Sequence, residues 1–182
     1  MARHLLSQRD ALLKKAAKLA GAGIGSLCTR IHGDLHLGQI LIAQGDAYFV
    51  DFEGEPVKPL DQRRARTSPL RDVAGMLRSF NYVAAMAAYS GPGDLTEAAC
   101  AHRQTLLTRF LTQTQRAFLT TYWQATANIP HRFGKKRDAQ ALLDLFTLEK
   151  AAYEVCYESA NRPAWINVPL RGLAAIAQRL LK

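Results

Sequence analysis

From Ser68 onward, apolar side chains recur at intervals of three and four residues in long runs punctuated by Gly and Pro, and that spacing commits most of the chain to amphipathic α-helix. Ser68-Pro69 offers a cap followed by proline in the first turn, after which Leu70, Val73, Leu77, Phe80 and Ala84 form one stripe, expected to end near Ser90-Gly91-Pro92-Gly93. A second run, from about Leu95 to Thr126, is expected to turn Leu106, Leu107, Phe110, Leu111, Phe118 and Tyr122 inward and to stop before Pro130. A third spans roughly Asp138 to Ala160. Asn161-Arg162-Pro163 breaks it, and a last amphipathic helix carries Leu170, Leu173, Ile176, Ala177 and Leu180. Near the start, Leu12, Leu13, Ala16, Leu19 and Ala20 predict a helix from about Gln8 to Ala20, with Ser7 as its N-cap and Gly21 just past its end.

Only Gln39-Ile40-Leu41-Ile42 and Ala47-Tyr48-Phe49-Val50, separated by a short turn containing Gly45-Asp46, read as β-structure, and together they predict a hairpin. The expected fold class is therefore mainly α, with helices around one small hairpin. No internal repeat or long linker divides the 182 residues, and 48% hydrophobic content is enough to bury a core, so 1–182 reads as a single domain. Cys28, Cys100 and Cys156 are odd in number and lack metal-ligand spacing, which argues against a disulfide framework or a zinc site and fits a cytoplasmic location. Charges interrupt the N-terminal apolar rhythm every few residues, so neither a signal peptide nor a membrane span is expected. The net charge of +9 invites a nucleic-acid reading, but the basic residues are scattered; the densest cluster, Lys135-Lys136-Arg137, lacks interleaved aromatics, and no nucleic-acid partner is expected.

The chemistry concentrates in Ile31-His32-Gly33-Asp34-Leu35-His36-Leu37-Gly38-Gln39 and, seventeen residues after Asp34, in Asp51 of Val50-Asp51-Phe52-Glu53-Gly54-Glu55-Pro56. Two carboxylates bracket the hairpin. Phosphoryl transfer from ATP needs a group that orients and deprotonates the acceptor hydroxyl, and oxygen ligands that hold Mg²⁺ on the phosphates. Asp34, on the turn after Gly33, can face an acceptor oxygen, while Gln39 and Asp51 at the two ends of the hairpin can return hard oxygen ligands to one metal. Glu53, two residues beyond Asp51, lies on the same side if the strand continues and is a candidate ligand for a second metal; a solvated turn is its plain alternative.

His-Gly-Asp followed five residues on by an amide, and then by a strand-borne Asp, is similar to the catalytic and metal loops of the aminoglycoside phosphotransferase-like kinases. HGDLHLGQ, DFEGEP, SPLRDVAGMLRSF and EKAAYEVCYESANRPAW together resemble the maltokinases within that superfamily. The resemblance implies the helical C-terminal lobe of a protein-kinase-like fold whose hairpin carries the catalytic and metal loops. It also implies ATP-dependent phosphorylation of maltose to maltose 1-phosphate with Mg²⁺, and an association with trehalose synthase. Asp34 would be the catalytic base and Gln39 and Asp51 the Mg²⁺ ligands, with Gln39 standing where the wider superfamily has Asn. His32 would anchor backbone near the metal loop, and Asp72 would fix the catalytic loop. Only 33 residues precede Asp34, so an N-terminal ATP-binding lobe is expected to be missing and to be supplied in cis or in trans, without which the chain should be inactive. Gly21-Ala22-Gly23-Ile24-Gly25-Ser26 is no substitute, because it follows a helix and lacks the sixth-position glycine of a nucleotide loop.

Lys150, Tyr153, Glu154 and Tyr157 fall at i, i+3, i+4 and i+7, a charged and aromatic helix face suited to sugar hydroxyls and C–H surfaces. With Trp165, and with His36 from the loop, they are the expected substrate-binding residues; tyrosines buried in a core are the alternative. Two other functions remain open at this point: a related kinase lobe for another sugar or an aminoglycoside, and a non-catalytic sugar-binding or interaction module.

Overall fold

A computed structural model of the chain describes residues 1–89, 95–129 and 135–182. It is mainly helical, in the order α1 (Ala2–Ser7), α2 (Arg9–Ala20), β1 (Ile40–Ala43), β2 (Asp46–Phe49), α3 (Leu60–Arg64), α4 (Leu70–Tyr89), α5 (Glu97–Ala125), α6 (Lys136–Asn161) and α7 (Asn167–Leu181), with 3₁₀ turns at Gly21–Gly23, Leu37–Gln39 and Pro163–Trp165. Two compact units emerge. One contains Met1–Arg78 and the C-terminal segment through Lys182, and the other begins at Ser79 and holds α5. The expected end of α4 near Ser90-Gly91-Pro92-Gly93 lies outside the described residues, whereas the next helix ends at Ala125, within one residue of the expected Thr126 and before Pro130.

In the first unit, Leu148 and Ala151 of α6 meet Ile176 and Leu180 of α7, and Leu12, Ala16 and Leu19 of α2 pack against them with Leu173. Each fully buried aliphatic side chain of this kind contributes about 1.5–3 kcal/mol, which is why three amphipathic stripes find one another. The start of α4 goes further than its stripe. Ala74, Gly75, Met76 and Arg78 are buried along with Leu70, Val73 and Leu77, so this turn is enclosed on more than one side. Arg78, 2% exposed, is matched there by Glu154 of α6 through an Nε–Oε2 hydrogen bond of 2.7 Å.

The second unit is organised around aromatic rings. Phe80 meets Phe118 edge-on at 5.8 Å, and Phe118, Tyr122 and Trp123 continue the series along α5. None of the residues of α5 is buried, and Leu106 and Phe110, expected to face inward, are 51% and 42% exposed. Periodicity puts apolar residues on one helix face but supplies no partner for it. At the N-terminus Ser7 does not cap α2; its hydroxyl donates to the His4 carbonyl at 2.8 Å and closes α1.

The hairpin pairs Ile40 with Phe49 and Ala43 with Asp46. Its two-residue turn, Gln44-Gly45, has φ values of 53° and 85°, the left-handed pair that matches the twist of adjoining strands. An isolated two-stranded ribbon is marginal in water. This one is tied down at its base, where Val50 N–H donates to the Gln39 carbonyl at 3.0 Å and the His32 ring bonds the Val50 carbonyl at 2.8 Å. Among the described residues no helix is long and apolar enough to cross a membrane.

Candidate active site

The loop around Asp34 is held by its backbone. Asp72, in the first turn of α4, accepts the N–H of His32 at 2.7 Å on one carboxylate oxygen and the N–H of Gly33 at 2.9 Å on the other. Burial pushes the Asp72 pKa up, against these two hydrogen bonds, which favour the carboxylate. His32 spends both ring nitrogens on backbone. Nε2 reaches the Val50 carbonyl, which can only accept, so Nε2 carries the proton and Nδ1 is left to accept the Asp34 N–H at 3.4 Å. Gly33 has φ +86°, and a Cβ there would lie 3.2 Å from the Gly54 Cα. The loop bearing Asp34 and the turn after Asp51 therefore run backbone against backbone. On its other side a Cβ at Gly75 of α4 would lie 2.5 Å from the Leu35 carbonyl oxygen, so only glycine admits the loop so close to the helix.

Asp34 lines a cleft of about 430 Å³, together with Glu55, Lys150, Tyr153, Asp72, Glu149 and Phe146 among others. Lys150 Nζ sits 3.2 Å from Asp34 Oδ1 and 2.6 Å from Glu55 Oε1, and Lys58 binds the other Glu55 oxygen at 2.6 Å. Burial alone would raise the Glu55 pKa, but the hydrogen bonds and charges of Lys150 and Lys58 outweigh it and hold the carboxyl below its ordinary value. Burial would likewise lower the Lys150 pKa, and the two carboxylates raise it instead. A carboxylate that stays ionised, beside a lysine that stays charged, faces the open cleft.

Gln39 and Asp51 come together at the hairpin base, where Gln39 Nε2 donates to Asp51 Oδ2 at 2.9 Å. Asp51 holds φ +64°, an uncommon conformation outside glycine that Asp tolerates better than most residues. Its other oxygen and the Gln39 amide oxygen are available to a cation, and Mg²⁺ accepts one or two protein oxygens when phosphate and water complete its shell. Among the described residues no group of three or more His, Cys, Asp or Glu forms a self-sufficient metal cage. Glu53 is exposed and its carbonyl receives Arg63 at 3.5 Å. His36 accepts the Gly38 N–H on Nδ1 at 3.0 Å and so caps the Leu37–Gln39 turn.

The expected sugar face of α6 separates into two. Lys150 and Tyr153 line the cleft. Glu154, 7% exposed, is turned to Arg78 and does not line it. Successive residues on an α-helix are rotated by about 100°, so Tyr153 and Glu154 lie on opposite flanks of the stripe that spacing alone makes one. Tyr157 stacks on Tyr153 at 6.2 Å and lies under Arg162, while Trp165 stands in the Pro163–Trp165 turn; neither lines the cleft. Sequence reasoning gave no role to Arg71, which pairs with Glu149 at 2.9 Å, or to Arg63 and Arg66, all three of which line the cleft. The run Gln62-Arg63-Arg64-Ala65-Arg66, directly after the metal loop, was the signal for the last two.

No family model matches the chain. Curated relatives include a glucosamine kinase from Streptacidiphilus jiangxiensis, 34% identical over 84% of this chain and 32% of its own length, and one from Mycolicibacterium smegmatis, 32% identical over 80% and 33%. The chain spans about a third of the length of the curated relatives it matches. Similar solved structures include a glucosamine kinase in complex with glucosamine, ADP and inorganic phosphate, with 28% identity, a TM-score of 0.68 and coverage of 93% of this chain and 39% of that one. A second glucosamine kinase structure matches with 26% identity, a TM-score of 0.68 and coverage of 96% and 44%. These matches correct the maltokinase and aminoglycoside phosphotransferase-like assignment, since the similar proteins are glucosamine kinases. Maltose and trehalose synthase fall as partners with it, and the similar proteins give no evidence of a separate ATP-binding lobe.

Proposed function

We propose that the chain is the acceptor- and metal-binding part of a sugar kinase that transfers the γ-phosphoryl group of ATP to a hydroxyl of glucosamine or a closely related amino sugar. Residues 1–182 act together in this reading as one mainly helical lobe of the protein-kinase-like layout. The observation that carries it is Asp34, exposed to a cleft of sugar size on a loop whose backbone is fixed by Asp72, beside a hairpin whose base gathers Gln39 and Asp51. The names of the similar proteins, and the glucosamine and ADP bound in one of them, supply the substrate class.

Asp34 takes the proton from the acceptor hydroxyl as its oxygen bonds to the γ-phosphorus and the bond to the β-phosphate oxygen breaks, releasing ADP. Lys150 holds Asp34 in place while the acceptor approaches. Tyr153 offers an aromatic face to the C–H surface of the sugar. Gln39 and Asp51 would hold Mg²⁺, which when bound neutralises phosphate charge.

Calorimetric titration of the chain with glucosamine and with maltose tests the reading. Glucosamine is expected to bind, maltose to bind much more weakly, and Asp34→Asn to weaken glucosamine by about tenfold through loss of a charged acceptor. Glucosamine binding that ignores Asp34→Asn would indicate a sugar-binding module with no phosphotransfer role. Absence of glucosamine binding would remove the substrate assignment.

A further inference from the structure

The cleft that receives Asp34 is also lined by Lys58, Arg63, Arg66 and Arg71. Its carboxylates already have partners. Asp34 and Glu55 share Lys150, Glu55 also takes Lys58, Asp72 is satisfied by two backbone N–H groups, and Glu149 holds Arg71. That leaves Arg63 and Arg66, neither of which has a carboxylate within 4.0 Å among the described residues.

Arg63 is under-used in a second way. Its Nη1 reaches the Glu53 carbonyl only at 3.5 Å, and its Nε is buried without a hydrogen-bond partner. A buried donor left unmade is costly, and it marks this cleft-lining guanidinium as short of acceptors within the protein. The stem of Arg63 lies against Gly54, where an added Cβ would meet it at 3.4 Å, so the guanidinium is seated by the same turn that follows Asp51. The planar fork of a guanidinium matches phosphate oxygens two at a time, and both residues line the same cleft.

We propose that Arg63 and Arg66 form an anion subsite of the cleft that takes a phosphate group, either inorganic phosphate or the phosphoryl group of a sugar phosphate. Which molecule brings the phosphate rests on the sugar-kinase reading; the subsite itself does not.

Calorimetric titrations of inorganic phosphate and of glucosamine 6-phosphate into wild type, R63Q/R66Q and R109Q/R116Q test it. The last variant removes the same charge from exposed positions of α5. Wild type is expected to bind phosphate saturably, R63Q/R66Q about tenfold more weakly, and R109Q/R116Q as wild type does. R66Q alone leaves the contact between Arg63 and Gly54 intact and is expected to lose severalfold. Tighter binding of the sugar phosphate than of phosphate assigns the sugar phosphate as the source, and equal binding assigns free phosphate. Equal affinity in the two double variants, or no saturable binding of either probe to wild type, overturns the subsite. Failure of unmodified glucosamine to bind any of the proteins strikes the sugar-kinase reading and leaves the subsite standing.

Discussion

Lys150 carries two carboxylates at once, and its replacement by methionine removes the lysine shared by Asp34 and Glu55 while leaving Glu55 its bond to Lys58. Because a quarter of the Lys150 side chain remains solvated, the expected loss is about 1–3 kcal/mol, short of a fully buried pair, and urea unfolding measures it. The pH dependence changes with it. Glu55 has a lowered folded pKa, so its contribution is present above its ordinary value of 4.5 and is lost as pH falls through the folded value. Lys150→Met shrinks that acid-side loss. Glu154 runs the other way. Burial raises its pKa in spite of Arg78, so its contribution is fullest below the ordinary value of 4.5 and is lost as pH rises through the raised one. Wild type should therefore gain stability from Glu154 as pH falls through the raised value toward 4.5, a gain that Glu154→Gln abolishes. Glu154→Leu, which strands Arg78 at 2% exposure, is expected to cost about 3–5 kcal/mol, and Arg78→Met/Glu154→Leu to recover most of it. Both residues sit at positions whose helical spacing is visible, yet the pairing joins residues 76 apart in the chain, and no local pattern announces it.

At the scale of elements, α4 is the scaffold of the site. Its first turn supplies Asp72 to the loop and its next supplies Gly75. Gly75→Ala pushes a methyl group onto the Leu35 carbonyl and is expected to cost about 1–3 kcal/mol and to weaken glucosamine binding in the same titration. Asp72→Asn keeps one acceptor and turns an NH₂ toward the second backbone donor, so amide exchange at His32 and Gly33 should quicken while that of the α6–α7 core stays as it was. Much of this element was readable. Ser68-Pro69 and the stripe from Leu70 to Phe80 mark α4 because burial of one face enforces the period, and the hairpin was found within one residue because turn and strand residues are local signals. Five-residue α3 was not, being polar and too short to show a period.

The whole molecule divides its legibility along the same line. α4, α6 and α7 bury a face that follows their apolar rhythm and α2 lays partly buried residues against α6 and α7, whereas α5 has the rhythm and no buried residue. Within the site, Asp34, Gln39 and Asp51 stand in one short stretch that reads as chemistry, while Lys150 reaches Asp34 from 116 residues away and reads only as one member of a helix face. The proposed acceptor was beyond the motif, because the cleft is assembled from distant segments. The most direct measurement of the central claim is a ¹H–¹⁵N correlation spectrum of the chain titrated with glucosamine. The account predicts shifts concentrated at Gly33, Asp34, Glu55, Lys150 and Tyr153, and absent from α5. Shifts confined to residues away from that cleft, or none at saturating glucosamine, would contradict it.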